Sequence, residues 1–279
     1  MASLPAEFNN FKGSKPQVFS VSGAGKVDLD VACNVAIVQG SNNKITVEID
    51  AEPGDMTNFQ VTQRGNEISV EQNGVSGGVA ISSASVAFSS RGGTSGSSSF
   101  SVSSVSGGSS VSISTTGGRV VVNGREINQG NVHSASTKIP RILIKAPAKG
   151  DLSAKVCGAF VLASTVPHHE AHLDLSGQTS AVISAHSLDI EISGQCDVQV
   201  SVGGGKLSVD SSGQCEVRAR GEFEHVKVDL SGAGSIKTEG VVRGNYTAKA
   251  GGVSKIVHHG KVCGRVHKET SGMASIDIG

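Results

Sequence analysis

The sequence predicts an all-β protein whose chain winds as a parallel β-helix, and three observations carry that reading. The phrase Ser-Gly-Gln, or a close variant, returns along the second half of the chain at a nearly constant interval. The apolar residues are mostly Val, Ile and Ala, with aromatics at 3% and no Trp, a mix suited to narrow stacked layers. Glycine stands at 37 of 279 residues, which supplies a tight bend many times over.

The repeat is the strongest of the three. AKVCGAF, LDLSGQTS, IEISGQCD, VDSSGQCE, VDLSGAGS, AKAGGVSK and ETSGMAS carry the marker glycines Gly158, Gly177, Gly194, Gly213, Gly232, Gly251 and Gly272. Their spacings are 19, 17, 19, 19, 19 and 21 residues. A period near 20 with no helical periodicity reads as one β coil of about 19 residues per repeat. A single coil cannot bury its inner face. Coils stacked about 4.8 Å apart let each backbone pair with the one above and the one below. Identical positions then form ladders, with Val and Leu inward and Ser, Asp and Gly at the corners. Gly213 is therefore expected to reject a larger residue, and Gly204, in the looser SVGGGKL, to accept one.

The rest of the chain divides by composition. Residues 1–16 are a polar leader. Residues 17–72 hold short alternating strands: QVFSVSG, KVDLDVACNVAIVQG, KITVEID and, after the turn signal EPGD, NEISVEQNG. Val27, Leu29 and Val31 fall two apart, with Asp28 and Asp30 between them, which is the period of a half-buried strand. This half alone fits the sheets of a sandwich as well as the first coils of a solenoid. Residues 73–118 form a Ser/Gly-rich segment with Arg91 its one charge. It reads either as low-complexity β structure, from the spacing of Phe100, Val102, Val105, Val111 and Ile113, or as a linker excursion. From 119 to 279 the regular pattern holds, opening with the strands RVVVNGREI and KIPRILIKAPAKG.

The SGQTS, SGQCD, SGQCE and SGAGS phrases resemble the repeat of the head-GIN domain family of putative autotransporter adhesins. VFSVSGAGKVDLDVACNVAIVQG, with NKITVEID and NEISV after it, resembles that family's N-terminal coil, and KIPRILIKAPAKGDLSAKVCGA resembles the strand leading into its repeats. The resemblance covers roughly residues 17–72 and 119–279. It implies a single-stranded right-handed parallel β-helix, a cell-envelope or extracellular setting, and no catalytic residues. By this resemblance Gly177, Gly194, Gly213 and Gly232 are corner glycines and Gly234 is the second glycine of the motif.

The residues suggest little chemistry. The charge is balanced at 24 against 24, which gives nucleic acid no electrostatic footprint to bind. No stretch approaches the 18 apolar residues of a membrane span, and MASLPAEFNNFKG has no apolar run of signal-peptide length, so the compartment stays open. PHHEAH (His168, His169, His172) lacks HExxH spacing and reads as surface-loop histidines, with His168 and His172 on one face and His169 on the other. No metal and no cofactor is expected. Cys196 and Cys215, each two residues after a marker glycine, should stack on adjacent coils, either as a small apolar ladder or as an inter-coil disulfide. Asp174, Asp210 and Asp229 are placed at corners. No nucleophile elbow or phosphate-binding loop is present.

These features favour a non-enzymatic structural or adhesive protein that self-assembles through its ends or faces. A glycan-binding or glycan-cleaving β-helix is the alternative. The expected partners are further copies of the chain, or a surface glycan or protein.

Overall fold

A strand with alternating side chains needs a second surface against its apolar face, and here the rest of the same coil provides it. The computed structural model describes residues 8, 11–41, 43–73, 113–116, 119–122, 125–127 and 139–279. The first strands are β1 (Gln17–Ser20), β2 (Lys26–Val31), β3 (Asn34–Gln39), β4 (Lys44–Asp50), β5 (Phe59–Arg64) and β6 (Glu67–Gln72). One helical turn, Pro53–Met56, stands where EPGD signals a bend. A second, antiparallel sheet is made of β7 (Ile113–Thr116), β8 (Arg119–Val122) and β9 (Arg125–Ile127). Then follow β10 (Arg141–Ala146), β11 (Asp151–Gly158), β12 (Val161–Ile192), β13 (Gln195–Gly203), β14 (Lys206–Ser211), β15 (Gln214–Phe223) and β16 (His225–Leu230). The last are β17 (Ala233–Val242), β18 (Tyr246–Ala250), β19 (Val253–Val262), β20 (Val266–Thr270) and β21 (Ser275–Ile278).

From β11 onward the strands of the main sheet pair in parallel with strands one coil away. Leu152 pairs with Ala171, Cys196 with Cys215, Leu207 with Val226 and Gln214 with Ala233, each 19 residues on. Gln178 pairs with Gln195, a shorter coil, and Val226 with Tyr246, a coil one residue longer. The chain is a right-handed parallel β-solenoid with coils of about 19 residues. Strands ahead of each corner (β14, β16, β18, β20) stack on one another, and strands behind it (β13, β15, β17, β19, β21) do the same.

The first half combines the two architectures its sequence allows. β2 runs parallel to β11, and β3 runs parallel to β10 and to the first residues of β12, so both enter the stack. Outside them, β4 is antiparallel to β10, β1 is antiparallel to β4, and β6 lies parallel to β2 with β5 hairpinned against it. These strands satisfy the outward backbone groups of the first coil, which would otherwise form an open edge. The strand β5, FQVTQR, is absent from the sequence reading because its side chains are half-buried or exposed on both faces and show no apolar alternation. The reading of residues 73–118 falls outside the described residues except for Asn73 and the stretches 113–116.

The core is a set of apolar columns along the solenoid axis. Leu173, Leu175, Ile190, Ile192, Leu207, Val209, Val226, Val228 and Leu230 line one side, and Ile183, Val198, Val200, Val217, Ala219 and Ile236 face them. The rings Phe223 and Tyr246 are fully buried. Burying one such side chain contributes about 1.5–3 kcal/mol, so repetition rather than any large residue stabilises the fold.

Candidate functional site

The Ser-Gly-Gln phrases build one continuous ridge. A Cβ on Gly177 would lie 2.7 Å from Gly158 O, and on each of Gly194, Gly213 and Gly232 it would overlap the carbonyl oxygen of the glycine one coil earlier. The column continues through Gly252, 2.6 Å from Gly232 O by the same measure, and Gly272. The marker assigned to Gly251 therefore moves by one. Ala250 pairs with Leu230, so Gly251 falls beside Ser231 and Gly252 beside Gly232, because this coil has gained a residue. Gly234 lies in the next column and stands over Cys215.

A second corner, absent from the sequence reading, runs through Gly221, Gly240 and Gly260, all with φ between 135 and 142°. Its signal was present in RARG, KTEG and VHHG, at intervals of 19 and 20 residues. Gly204 departs from expectation in a different way. An added Cβ would meet only the His186 ring, at an ordinary contact distance of 3.7 Å, but its φ of 104° is a conformation that side-chain-bearing residues rarely adopt, so it is not a tolerant site.

Behind the glycine ridge, Gln178, Gln195 and Gln214 form an amide ladder, with Nε2 donating to the next Oε1 at 3.2 and 2.9 Å. They border a shallow groove of about 570 Å³ that also reaches Thr179, Cys196, Cys215, Asp197 and Glu216. Cys196 and Cys215 are in-register partners on β13 and β15, and both are buried, reduced thiols that burial pushes above the ordinary thiol pKa. Their column explains the residue type. Thr179 Oγ1 donates to Ser176 O at 3.1 Å and Ser254 Oγ to Gly251 O at 2.8 Å, closing the corner from the same station. Cysteine is the apolar counterpart of those hydroxyls.

Two histidines sit inside the solenoid. His168 is buried in β12 and is not a surface-loop residue. Its Nδ1 lies 3.2 Å from Gly150 O, a pure acceptor, so Nδ1 carries the proton, and Nε2 lies 2.8 Å from Ser164 Oγ. Burial lowers its pKa to about 4, against the weaker upward pull of the Gly150 bond and of Asp151. His168 and His172 do not share a face. His169 and Glu170 both point outward, which breaks the alternation and leaves His172 exposed, with its Nδ1 3.3 Å from Asp189. The second, His258, is buried with Tyr246 and Thr238. Thr238 Oγ1 lies 2.9 Å from both Tyr246 Oη and His258 Nδ1, and His258 Nε2 has no hydrogen-bond partner. Burial, with His259 beside it, holds His258 below the usual imidazole range, and burial pushes Tyr246 up to about 12. Among the described residues, no group of three His, Cys, Asp or Glu is placed to hold a metal.

Outside, a charge column crosses the strands ahead of the corner. Lys155 pairs with Asp174, Glu191 with Asp210, Asp210 with Asp229, Asp229 with Lys249 and Lys249 with Glu269. The aspartates thus lie on flat strand, not at corners. Lys249 Nζ is 2.9 Å from Glu269, whose carboxyl is held below its usual range first by His267 and then by Lys249. Asp210 has acidic neighbours on both sides, and like charges directly opposite destabilise a sheet. Asp210→Lys is expected to raise stability by about 0.5–1 kcal/mol at low salt, with the gain shrinking as salt is added. Urea melts at low and high ionic strength check this, and a loss at low salt contradicts it.

A further groove, of about 450 Å³, is lined by Ser164, Thr165, Ser184, Gln199, Ser201, Arg218 and Arg220 among others. Both guanidinium groups are engaged, Arg218 with Glu216 and Arg220 with Glu239 at 2.9 Å. No helix among the described residues is long and apolar enough to cross a membrane.

No protein-family model and no curated protein matches this chain. Solved structures do match. A putative adhesin from Bacteroides fragilis NCTC 9343 superposes with a TM-score of 0.54 at 13% identity, over 95% of this chain and 96% of that one. A putative adhesin from Parabacteroides distasonis ATCC 8503 gives 0.43 at 11% identity, over 97% of this chain and 98% of that one. At such identities the likeness is one of fold: the chain shares the β-solenoid of the Bacteroides fragilis protein.

Proposed function

We propose that this chain is a non-enzymatic adhesive or structural β-solenoid of the head-GIN kind, and that copies assemble head to tail into filaments. The observation that carries this is the edge at β20 and β21. β20 pairs only with β18 and β21 only with β19 among the described residues, all five residues of β20 are exposed, and Met273 beside them is 78% exposed. At the other end β1 pairs only with β4 among the described residues, with Val18 58% exposed. An unpaired strand edge recruits another strand, and a contact between two different ends of the same molecule propagates without closing. The adhesive setting is supported by the shared fold with a putative adhesin. Sedimentation velocity and electron microscopy over a rising concentration series are expected to show particles several molecules long. A single monomer species throughout rejects the filament.

The polar groove beside Arg218 and Arg220 supports a second reading, glycan binding. Its hydroxyl, amide and guanidinium groups suit sugar hydroxyls, but no aromatic ring lines it for stacking. Retention of a polysaccharide that is lost in Gln199→Ala favours this reading over the first.

A further inference from the structure

We propose that Cys196 and Cys215 are a redox-operated staple, two thiols held one above the other on neighbouring coils and joined as a disulfide when the protein meets an oxidising environment. The register assigns the pair. Cys196 and Cys215 are direct partners in the β13–β15 ladder, whereas the register partner of Cys157 is Ser176. In-register strands about 4.8 Å apart place the two Cα atoms within the range of about 4.4–6.8 Å that a disulfide spans. Both side chains lie on the same inward side of their strands, at 6% and 5% exposure. Both also line the groove under the glutamine ladder, which gives a small reagent a route to them. Above Cys215 the column continues with Gly234, which has no side chain to hinder a shift of that sulfur.

The reaction is a two-electron oxidation. Each thiol loses its hydrogen, one S–S bond forms, and two electrons and two protons pass to the oxidant, here a small disulfide or a diazene dicarboxamide. Burial disfavours the thiolate at both positions, so closure is slow compared with that of an exposed thiol. Once closed, the staple ties consecutive coils together and shortens the loop between them in the unfolded chain, which raises stability. A chain that matures outside the reducing compartment would thereby lock the middle of its coil stack, and one retained inside would not.

The test treats the folded protein with diamide at low concentration, blocks remaining thiols, and maps the tryptic peptides. Residues 156–206 form one such peptide and contain both Cys157 and Cys196, so Cys157→Ser is the working background. The expected result is loss of two thiols, a link between peptide 156–206 and peptide 207–218, and a higher denaturation midpoint that returns to its starting value on reduction. Cys196→Ser and Cys215→Ser are expected to fold, since Thr179 and Ser254 hold the same station, and to show neither the link nor the shift. Both thiols remaining free in the folded protein, a link to Cys263 instead, or a link that appears only after denaturation overturns the proposal.

Discussion

Replacing Gly213 with valine is expected to destabilise the protein by about 2–4 kcal/mol, while the same change at Gly203 should cost about 1 kcal/mol or less. The cause at Gly213 is close approach rather than backbone handedness, because Gly213 is not among the glycines with positive φ. Its added Cβ would overlap the Gly194 carbonyl oxygen and crowd the Gly194 carbonyl carbon and amide nitrogen at 2.9 and 3.0 Å. The clash is with the backbone of the preceding coil, and Gly213 O receives the Ala233 amide while the Gln214 amide binds Gly194 O, so the coils cannot separate without losing these bonds. At Gly203 the nearest atoms to an added Cβ are 3.8 and 3.9 Å away, an ordinary contact distance, and it is not among the glycines with positive φ. At Gly204 a valine would add backbone strain unrelated to stacking, since its φ is 104°. Denaturant melts of the two variants decide the matter. Equal small losses would mean that the glycine column does not set the coil spacing.

Acidification is expected to weaken the fold well before ordinary carboxylates titrate. His168 has a folded pKa of about 4 against 6.5 when exposed. Above pH 6.5 both states hold it neutral and it contributes no pH dependence. Between about 6.5 and 4 the unfolded chain takes up a proton that the folded chain refuses, so stability falls as the pH falls, by about 3 kcal/mol across the window and by about 2 kcal/mol between pH 7 and pH 5. His258 is shifted in the same direction and adds to the loss. The groups facing His168 do not offset it: Gly150 O and Ser164 Oγ are neutral, and Asp151 is too exposed and screened to stabilise a buried cation. Urea melts at the two pH values, repeated on His168→Gln, check this. The variant should be less stable at neutral pH yet lose less on acidification. A slope identical to that of the parent protein would exclude His168 as the source.

The parts of this protein that depend on one coil at a time are legible in its sequence. Val27, Leu29 and Val31 face inward two residues apart, and a period near 19 can bury such strands only by stacking. The Cys196–Cys215 pairing follows from that period alone. Where the coil length changes, counting fails. The extra residue before Gly252 moves the corner from Gly251, and the outward pair His169–Glu170 turns His168 into the core and His172 out of it. Neither is visible in a local pattern, because an insertion is absorbed wherever the backbone can bend and still pair with its neighbour coil. The tertiary structure also decided the first half, where β10 runs beside β3 from more than 100 residues away in the chain and separates it from β4. It decided as well the buried contact of Tyr246, Thr238 and His258, drawn from β18, β17 and β19. Alternation specifies which face of a strand is apolar but not which strand will lie beside it. That choice is made by the backbone groups left unpaired when the other coils have closed.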